Sequence, residues 1–340
     1  MLFRIKEGIL LLRKMTLLKL WNIMLLRSGY LISRIRRKPY MIGKPMAISI
    51  EPTTACNLRC PECPSGLRAF SRPVGSMGLG YYVQMIETLQ QALCYLNLYF
   101  QGEPFLNRDL FKMISYAHKK GIFTATSTNG HYLDDQQARE TVLSGLDKLI
   151  ISVDGSDQET YEKYRIGGDL DKVLEGIKNV ISWKHKLKKR TPLVLLQFII
   201  FKSNQHQISE IKKIASKIRV DHLVFKTAQI YDYSSKIHLI PDNPSWSRYL
   251  IQPDGTYSIN NKQADHCWRM WSSGVITWDG SIVPCCFDKD ASHQMGQLGE
   301  LDFIQIWNGE KYNRFRRQVL LARRELDICA NCSEGSKVWA

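Results

Sequence analysis

The chain has 340 residues, of which 44% are hydrophobic and 23% charged, and its 47 Lys and Arg against 32 Asp and Glu give a formal charge of +15. With 22 Gly and 12 Pro the composition is neither collagenous nor disordered, and no apolar run reaches the roughly 18–20 residues of a membrane-spanning helix. Such a chain is long enough for one large domain and a smaller one.

Residues 1–38 hold ten Lys and Arg and one acid, Glu7, so this segment supplies +9 and the remainder +6. Its apolar residues, among them Phe3, Ile9, Leu12, Leu20, Trp21 and Met24, are interrupted by cations every few positions. That is the pattern of a basic amphipathic helical extension over residues 1–40, lying on a membrane surface or on the body of the protein. Arg13 and Lys14 cut the apolar core to Ile9–Leu12 and no small-residue cleavage site follows, so the segment does not read as a secretory signal. The expected location is the cytoplasm, with peripheral attachment to the inner face of the membrane as one role for residues 1–38.

Between residues 46 and 226 short β-prone runs alternate with stretches at helical spacing. Strands are predicted at Met46–Ile50, Tyr95–Phe100, Phe123–Ser127, Lys148–Val153, Leu193–Phe201 and Asp221–Lys226, with helices near 80–93, 108–119, 134–144, 171–187 and 207–217. This alternation implies an α/β fold with a parallel sheet, which right-handed crossovers curl into an open or complete barrel.

The unusual residues fall at the carboxyl ends of the strands. The run from Glu51 to Cys63 follows the first, Gln101-Gly-Glu-Pro104 the second, Ser127-Thr-Asn-Gly130 the third and Ser152-Val-Asp-Gly155 the fourth. That edge is where α/β barrels gather their binding groups, because the strand ends converge and the loops are free to vary. Beyond the fifth and sixth strands, Gln197, Lys202, Asn204, Lys226, Tyr231 and Tyr233 form a wall suited to a polar or anionic substrate, although Lys202 and Lys226 also read as solvated strand ends.

Eight of the nine cysteines fall into two groups about two hundred residues apart, and in a chain without an export signal such groups are ligands more often than disulfides. Cys56, Cys60 and Cys63 are spaced CxxxCxxC. Three thiolates leave one position open, whereas structural zinc takes a closed set of four, and the next cysteine, Cys94, reads as a buried small hydrophobe. A cubane iron–sulfur cluster with one iron open to an exogenous ligand fits better.

On this motif, placed after the first strand, the chain resembles the radical S-adenosylmethionine (SAM) enzymes over a barrel domain of 46–235. The resemblance implies a partial (β/α)6 barrel whose cluster binds SAM and cleaves it reductively to a 5′-deoxyadenosyl radical that abstracts a substrate hydrogen. Gln101, Gly102, Glu103 and Pro104 resemble the family's GGEP element, which receives the methionyl ammonium. Ser127 and Asn129 match its ribose-contacting positions, Ser152 and Asp154 the next polar set, and Arg165 is a candidate for the SAM carboxylate or for a surface ion pair. Gln101 in place of Gly, and Glu62 where an aromatic residue usually precedes the third cysteine, depart from the pattern.

A connecting segment, 236–262, leads to a small cysteine-rich α+β domain, 263–340. Val275–Trp278 and Ser281–Val283 around Asp279-Gly280 predict a hairpin that sets Cys267 beside Cys285, with Cys329 and Cys332 arriving from a C-terminal helix. Four cysteines of this kind enclose zinc or an iron–sulfur cluster. The words Cys267-Trp, Thr277-Trp-Asp-Gly280, Val283-Pro-Cys-Cys, Ile306-Trp-Asn308 and the final CxxC resemble the SPASM/twitch domains that hold an auxiliary [4Fe–4S] cluster, and four ligands imply one such cluster. Cys286 stands where related sulfatase-maturing enzymes carry a basic Asp. The resemblance therefore argues against formylglycine formation and leaves Cys286 as a spectator, an alternative ligand or a catalytic hydrogen or proton donor. His206, His238, His266 and His293 lack metal spacing and are expected to cap turns or face water, and Trp268, Trp271 and Trp278 to shield the cluster.

The leading expectation is a radical SAM enzyme with two [4Fe–4S] clusters, one of them auxiliary and assisting oxidation or bond formation. Its reductant would be a flavodoxin or ferredoxin, and its substrate a peptide or protein, a small alcohol or sugar, or a membrane-associated metabolite. The competing class is a non-catalytic iron–sulfur or zinc scaffold that passes electrons. Nucleic acid is not an expected partner, since without the N-terminal +9 the surface is ordinary and no RNA-binding aromatic pattern is present.

Overall fold

All six predicted strands form in the computed structural model, which describes residues 2–230, 237–260 and 263–332. They are β1 (Ala47–Ile50), β2 (Tyr95–Asn97), β3 (Phe123–Thr128), β4 (Lys148–Ser152), β5 (Leu193–Ile200) and β6 (His222–Thr227), paired in chain order and all parallel. Parallel pairing requires a crossover between neighbours. The chain supplies α3 (Pro64–Leu67) and α4 (Leu79–Leu89), α5 (Leu110–Lys119), α6 (Asp135–Leu143), α7 (Gln158–Tyr164) with α8 (Leu170–Lys186), and α9 (Ile208–Ile218). They are preceded by α1 (Leu2–Leu12) and α2 (Leu17–Arg36).

The local causes are legible in α8. Asp169 caps its first turn through the Lys172 N–H, Leu170, Val173, Ile177 and Val180 face the sheet at helical spacing, and Lys184, His185 and Lys186 complement the dipole in the last turn. Asp134 and Asp157 cap α6 and α7 in the same way. The helices thus cover the outside of an open barrel, with all six strand ends at one rim.

After β6 come a two-stranded antiparallel sheet, β7 (Tyr249–Ile251) and β8 (Tyr257–Ile259), then α10 (Arg269–Ser272), β9 (Ser273–Ile276), β10 (Ser281–Val283), β11 (Gly296–Gln297), α11 (Phe303–Asn308), α12 (Glu310–Ala322) and α13 (Asp327–Ala330). The predicted hairpin is β9–β10, but β9 also pairs in parallel with β1, from Ala47 opposite Ser273 to Ile50 opposite Ile276. One nine-stranded sheet therefore runs β11-β10-β9-β1-β2-β3-β4-β5-β6, and the cysteine-rich segment continues the barrel sheet instead of forming a separate one.

Three smaller expectations change. The N-terminal segment is two helices, broken at Arg13–Thr16, where Thr16 accepts from the Lys19 N–H and starts α2. Cys94 is buried as expected but lies in the loop just before β2. Short α7 was not anticipated. Tyr231 and Tyr233 lie outside the described residues.

A buried ion pair locks the C-terminal hairpin to the barrel. Glu51, one residue beyond β1 and fully buried, accepts Arg72 Nη1 and Nη2, each at 2.6 Å, and the Trp278 N–H at 3.2 Å. Arg72 Nη2 also donates to the Lys289 carbonyl at 3.1 Å. Burial pushes the Glu51 carboxyl up and Arg72 opposes it. Removing one partner of such a pair leaves an uncompensated charge. Arg72→Ala is expected to cost about 3–5 kcal/mol in urea unfolding. Arg72→Met combined with Glu51→Gln is expected to lose clearly less, since neither charge is then stranded.

Candidate active site at the open end of the barrel

A cavity of about 500 Å³ lies at the carboxyl ends of the strands, and Cys56, Cys60 and Cys63 line it. Their loop is folded tightly against the next strand end. The Gly102 N–H donates to Ser65 Oγ at 2.8 Å and the Glu103 N–H to the Ala55 carbonyl at 2.7 Å. Gly102 has φ +72, and a Cβ there would stand 2.2 Å from the Thr53 carbonyl oxygen, so this approach admits only glycine. Gly66 does the same for α3, where a Cβ would meet the Cys60 backbone at 2.6 Å.

N–H groups are directed at two of the three sulfurs. Leu58 N stands 3.5 Å and Asn129 Nδ2 3.9 Å from Cys56 Sγ, while Arg165 Nη1 is 3.8 Å from Cys60 Sγ. Burial pushes the Cys56 thiol up to about 11 and raises Cys60 against the pull of Arg165. Ligation must therefore displace protons, and the surrounding donors suit sulfur that carries negative charge. Three thiols from one short loop on a shared cavity fit a cluster that takes three protein ligands and keeps one iron open.

Gln101, Gly102 and Glu103 line the cavity, and Pro104 starts the short turn behind them. Glu103 is wholly enclosed. Its carboxylate accepts Thr128 Oγ1 at 2.7 Å, the Asn129 N–H at 2.7 Å and the Phe105 N–H at 3.2 Å, yet burial outweighs these bonds and pushes its pKa up to about 7. Ser127, Asn129 and Ser152 line the same space. Asp154 does not. It is buried behind Arg165, taking that guanidinium at 2.6 Å and the Ile199 N–H at 2.7 Å. The surface ion pair expected as one option for Arg165 is thus a buried one, and it holds the guanidinium at the cavity wall beside Cys60.

Four cations, Lys226, Arg248, Arg269 and Lys289, line the same cavity. Arg248 donates to the Thr227 carbonyl and hydroxyl at 2.9 and 3.0 Å. The Lys226 ammonium is pushed down by burial and then by Arg248, Lys148 and Arg269. Gln197 also lines the cavity, whereas Lys202 leaves it for an exposed pair with Asp242 at 2.8 Å and Asn204 is buried, with its amide donating to the Asp154 and Ile199 carbonyls. Arg248, Arg269 and Lys289 carry no spacing signal in the sequence. They come from three segments that only the folded sheet brings together.

Adjacent cysteines at the end of β10 face different places. Cys286 lines the cavity, where a hydrogen bond from Cys285 pulls its thiol down against burial, with Arg269 and Lys289 adding to it. Cys285 packs with the core beside Cys267, and its own thiol is raised by that bond and by burial. Arg323 ties the remaining pair to this region, donating to Cys332 Sγ at 3.6 Å and to the His266 carbonyl at 2.7 Å. The Tyr312 hydroxyl is buried without a hydrogen-bond partner among the described residues and lies within electrostatic reach of Cys267 and Cys285. An orphaned donor facing two thiols fits a centre that presents acceptors there. His266 and His293 are not simple turn caps: His266 Nδ1 bonds Tyr30 Oη at 2.9 Å and His293 Nε2 bonds Asp327 at 2.7 Å.

The radical SAM superfamily model matches residues 50–188, and that of SPASM, an iron–sulfur cluster-binding domain, matches residues 267–333. The chain is 24% identical, over 313 residues covering 84% of it and 86% of the relative, to the tungsten-containing aldehyde ferredoxin oxidoreductase cofactor-modifying protein of Pyrococcus furiosus. In fold it is similar to Streptococcus suis SuiB bound to SAM, with TM-score 0.62, 13% identity, and coverage of 92% of this chain and 77% of that one. It is also similar to anSMEcpe with bound AdoMet and a Cp18Cys peptide (0.57, 16%, 86% and 89%) and to BtrN in complex with AdoMet and 2-DOIA (0.51, 18%, 86% and 94%). A radical SAM domain binds a [4Fe–4S] cluster and SAM, and a SPASM domain binds auxiliary iron–sulfur clusters.

Gly102→Ala tests the approach of the two loops. The left-handed backbone alone costs a side chain about 1–2 kcal/mol, and the contact with Thr53 adds to it. SAM retention by the iron-loaded protein, measured by equilibrium dialysis, is expected to fall about tenfold or more, while circular dichroism shows the fold intact.

Proposed function

We propose, for a chain that belongs to the radical SAM superfamily and ends in a SPASM domain, that it oxidises an anionic substrate at the open end of its barrel and passes an electron to one auxiliary cluster. In this reading Cys56, Cys60 and Cys63 hold the SAM-binding cluster, and Cys267, Cys285, Cys329 and Cys332 hold the auxiliary one. The first cluster, when bound, supplies the electron that breaks the SAM sulfur–carbon bond, leaving methionine and a 5′-deoxyadenosyl radical that takes a hydrogen atom from substrate.

The chain's own residues orient the reactants. Glu103, with the carbonyls of Gln101 and Gly102, receives the methionyl ammonium, and Pro104 sets their turn. Arg165, held by Asp154, takes the methionyl carboxylate, while Ser127, Asn129 and Ser152 contact the ribose. Lys226, Arg248, Arg269 and Lys289 bind a carboxylate or phosphate on the substrate, which offsets the cost of burying cations together. A flavodoxin- or ferredoxin-type protein supplies the reducing electron.

The observation that carries the oxidative reading is the divergence of Cys285 and Cys286. One peptide bond separates a thiol facing the substrate space from a thiol in the second group, so a substrate that has lost a hydrogen atom lies beside an acceptor for its next electron. Loss of that electron and of one proton completes a two-electron oxidation.

Anaerobic reconstitution with iron and sulfide is expected to give about eight irons per chain and to yield 5′-deoxyadenosine from SAM under dithionite. The triple variant Cys56→Ala, Cys60→Ala, Cys63→Ala is expected to keep about four irons and make no nucleoside. Cys267→Ala with Cys329→Ala is expected to lose the other four and still cleave SAM. A wild type that takes up iron yet never cleaves SAM would identify the non-catalytic scaffold instead.

Glu103 predicts a pH dependence. Its pKa is raised to about 7, so the carboxylate is charged above that value and protonates as pH falls through it. Protonated, it cannot attract an ammonium. SAM affinity is therefore expected to drop between pH 8 and pH 6, a step that Glu103→Gln should abolish while weakening binding throughout.

A further inference from the structure

The two N-terminal helices turn most of their large apolar residues outward. On α2 the buried positions are Lys19, Asn22, Leu26, Gly29, Tyr30 and Ser33, so Leu26 and Tyr30 are the apolar members of a mostly polar inner face, while Leu17, Trp21, Met24, Leu31 and Ile35 are 85%, 58%, 53%, 52% and 83% exposed. At about 100° per residue those five lie within an arc of about 80°. On α1 the same holds for Ile5, Ile9 and Leu12, spaced at i, i+4 and i+7 and 49%, 46% and 69% exposed. Half of the large hydrophobic residues found exposed among the described residues lie between positions 5 and 35.

This is not loose packing, because the polar face is anchored. Lys14 pairs with Asp147 at 2.5 Å and donates to the Ile122 carbonyl at 3.0 Å, and Lys19 donates to the Gly121 carbonyl at 2.7 Å. Glu7 pairs with Lys148, Phe3 stacks on His222, and Asn22 exchanges two hydrogen bonds with Lys44 at 2.8 and 2.9 Å. These partners precede or open β3, β4, β6 and β1, so α1 crosses the amino ends of the strands, opposite the cavity that Cys56 lines.

From these observations we infer that α1 and α2 form an interfacial surface that docks on a bilayer containing anionic lipid. The apolar stripe of α2 is bordered by Arg27 on one side and Arg36 on the other, and Glu7, the one acid of residues 1–38, is already paired. Apolar residues enter the acyl boundary while arginines meet phosphates, a geometry for lying on a membrane. Among the described residues no helix is long and apolar enough to cross one. A second copy is disfavoured as the occupant, since it would set one +9 segment against another. Beside α1, a cavity of about 470 Å³ with Lys6, Arg13, Lys189, Arg190 and Arg219 on its walls, and Asp221 as its acid, is open to a phosphate headgroup at the same end. Docked this way, the protein turns its substrate cavity toward water. The inference does not depend on the chemistry proposed for that cavity.

Co-sedimentation of the full chain with vesicles of phosphatidylcholine, with or without phosphatidylglycerol, tests it. Binding is expected with phosphatidylglycerol and should fall about tenfold or more without it, in 0.5 M salt, or on Arg34→Gln with Arg36→Gln and Arg37→Gln. Leu17→Gln with Trp21→Gln and Ile35→Gln should lose binding while every cation remains. Both variants keep the Lys14 and Lys19 anchors, so thermal midpoint and SAM cleavage are expected to be unchanged. Wild type left in the supernatant with anionic vesicles, or apolar variants that bind as well as wild type, would overturn the inference. So would lipid-free dimerisation that the apolar variant abolishes, which assigns the face to a second copy.

Discussion

Everything at the open end of the barrel hangs on β1, four residues paired with β2 on one side and with β9 on the other. Because β9 joins in parallel, the Thr277–Gly280 turn stands at the rim that bears the loop of Cys56, Cys60 and Cys63, and antiparallel β10 leads back from it to Cys285 and to Cys286, which lines the same cavity. The buried Glu51–Arg72 pair then fixes the distance between them, since Glu51 also holds the Trp278 backbone and Arg72 the Lys289 carbonyl. A carboxylate without solvent tolerates little displacement from its partner. The same bonds that stabilise the fold therefore position the two cysteine groups relative to each other.

Charge is distributed across that rim in two different ways. On the cysteine side each buried ion is matched: Asp154 with Arg165, and Glu103 with three donors. Elsewhere on the cavity Lys226, Arg248, Arg269 and Lys289 gather, and the Lys226 ammonium is pushed down by burial and by Arg248, Lys148 and Arg269. Matched charges define geometry, whereas a group of like charges on one cavity favours a ligand of the other sign.

The two ends of the strands carry opposite kinds of surface. The carboxyl ends are polar and concave, and the amino ends are covered by α1 and α2, which turn most of their large apolar residues outward and bury Lys19, Asn22 and Ser33 along with Phe3, Leu26 and Tyr30. Such an arrangement leaves the helices little hydrophobic docking beyond Phe3, Leu26 and Tyr30, and the Lys14–Asp147 pair, the Lys19 bonds to backbone carbonyls and the Glu7–Lys148 pair add to it.

Local pattern was enough for much of this. Alternation of β-prone and helical runs located all six strands, because period and turn chemistry act over a few residues. The CxxxCxxC spacing and the residues at strand ends marked the cavity for the same reason, and Gln101, Gly102, Glu103, Ser127, Asn129, Ser152 and Arg165 all line it. What the sequence left undecided depends on contacts between distant segments. Asp154 proved to sit behind Arg165, and Lys202 turned away to Asp242. Arg248, Arg269 and Lys289 converged without any motif. Amphipathicity showed that residues 1–40 would be helical with one apolar face, yet whether that face points inward or outward was settled by buried partners more than a hundred residues away, Gly121 for Lys19 and Asp147 for Lys14. Periodicity determines which side chains share a face; only tertiary packing decides what that face meets.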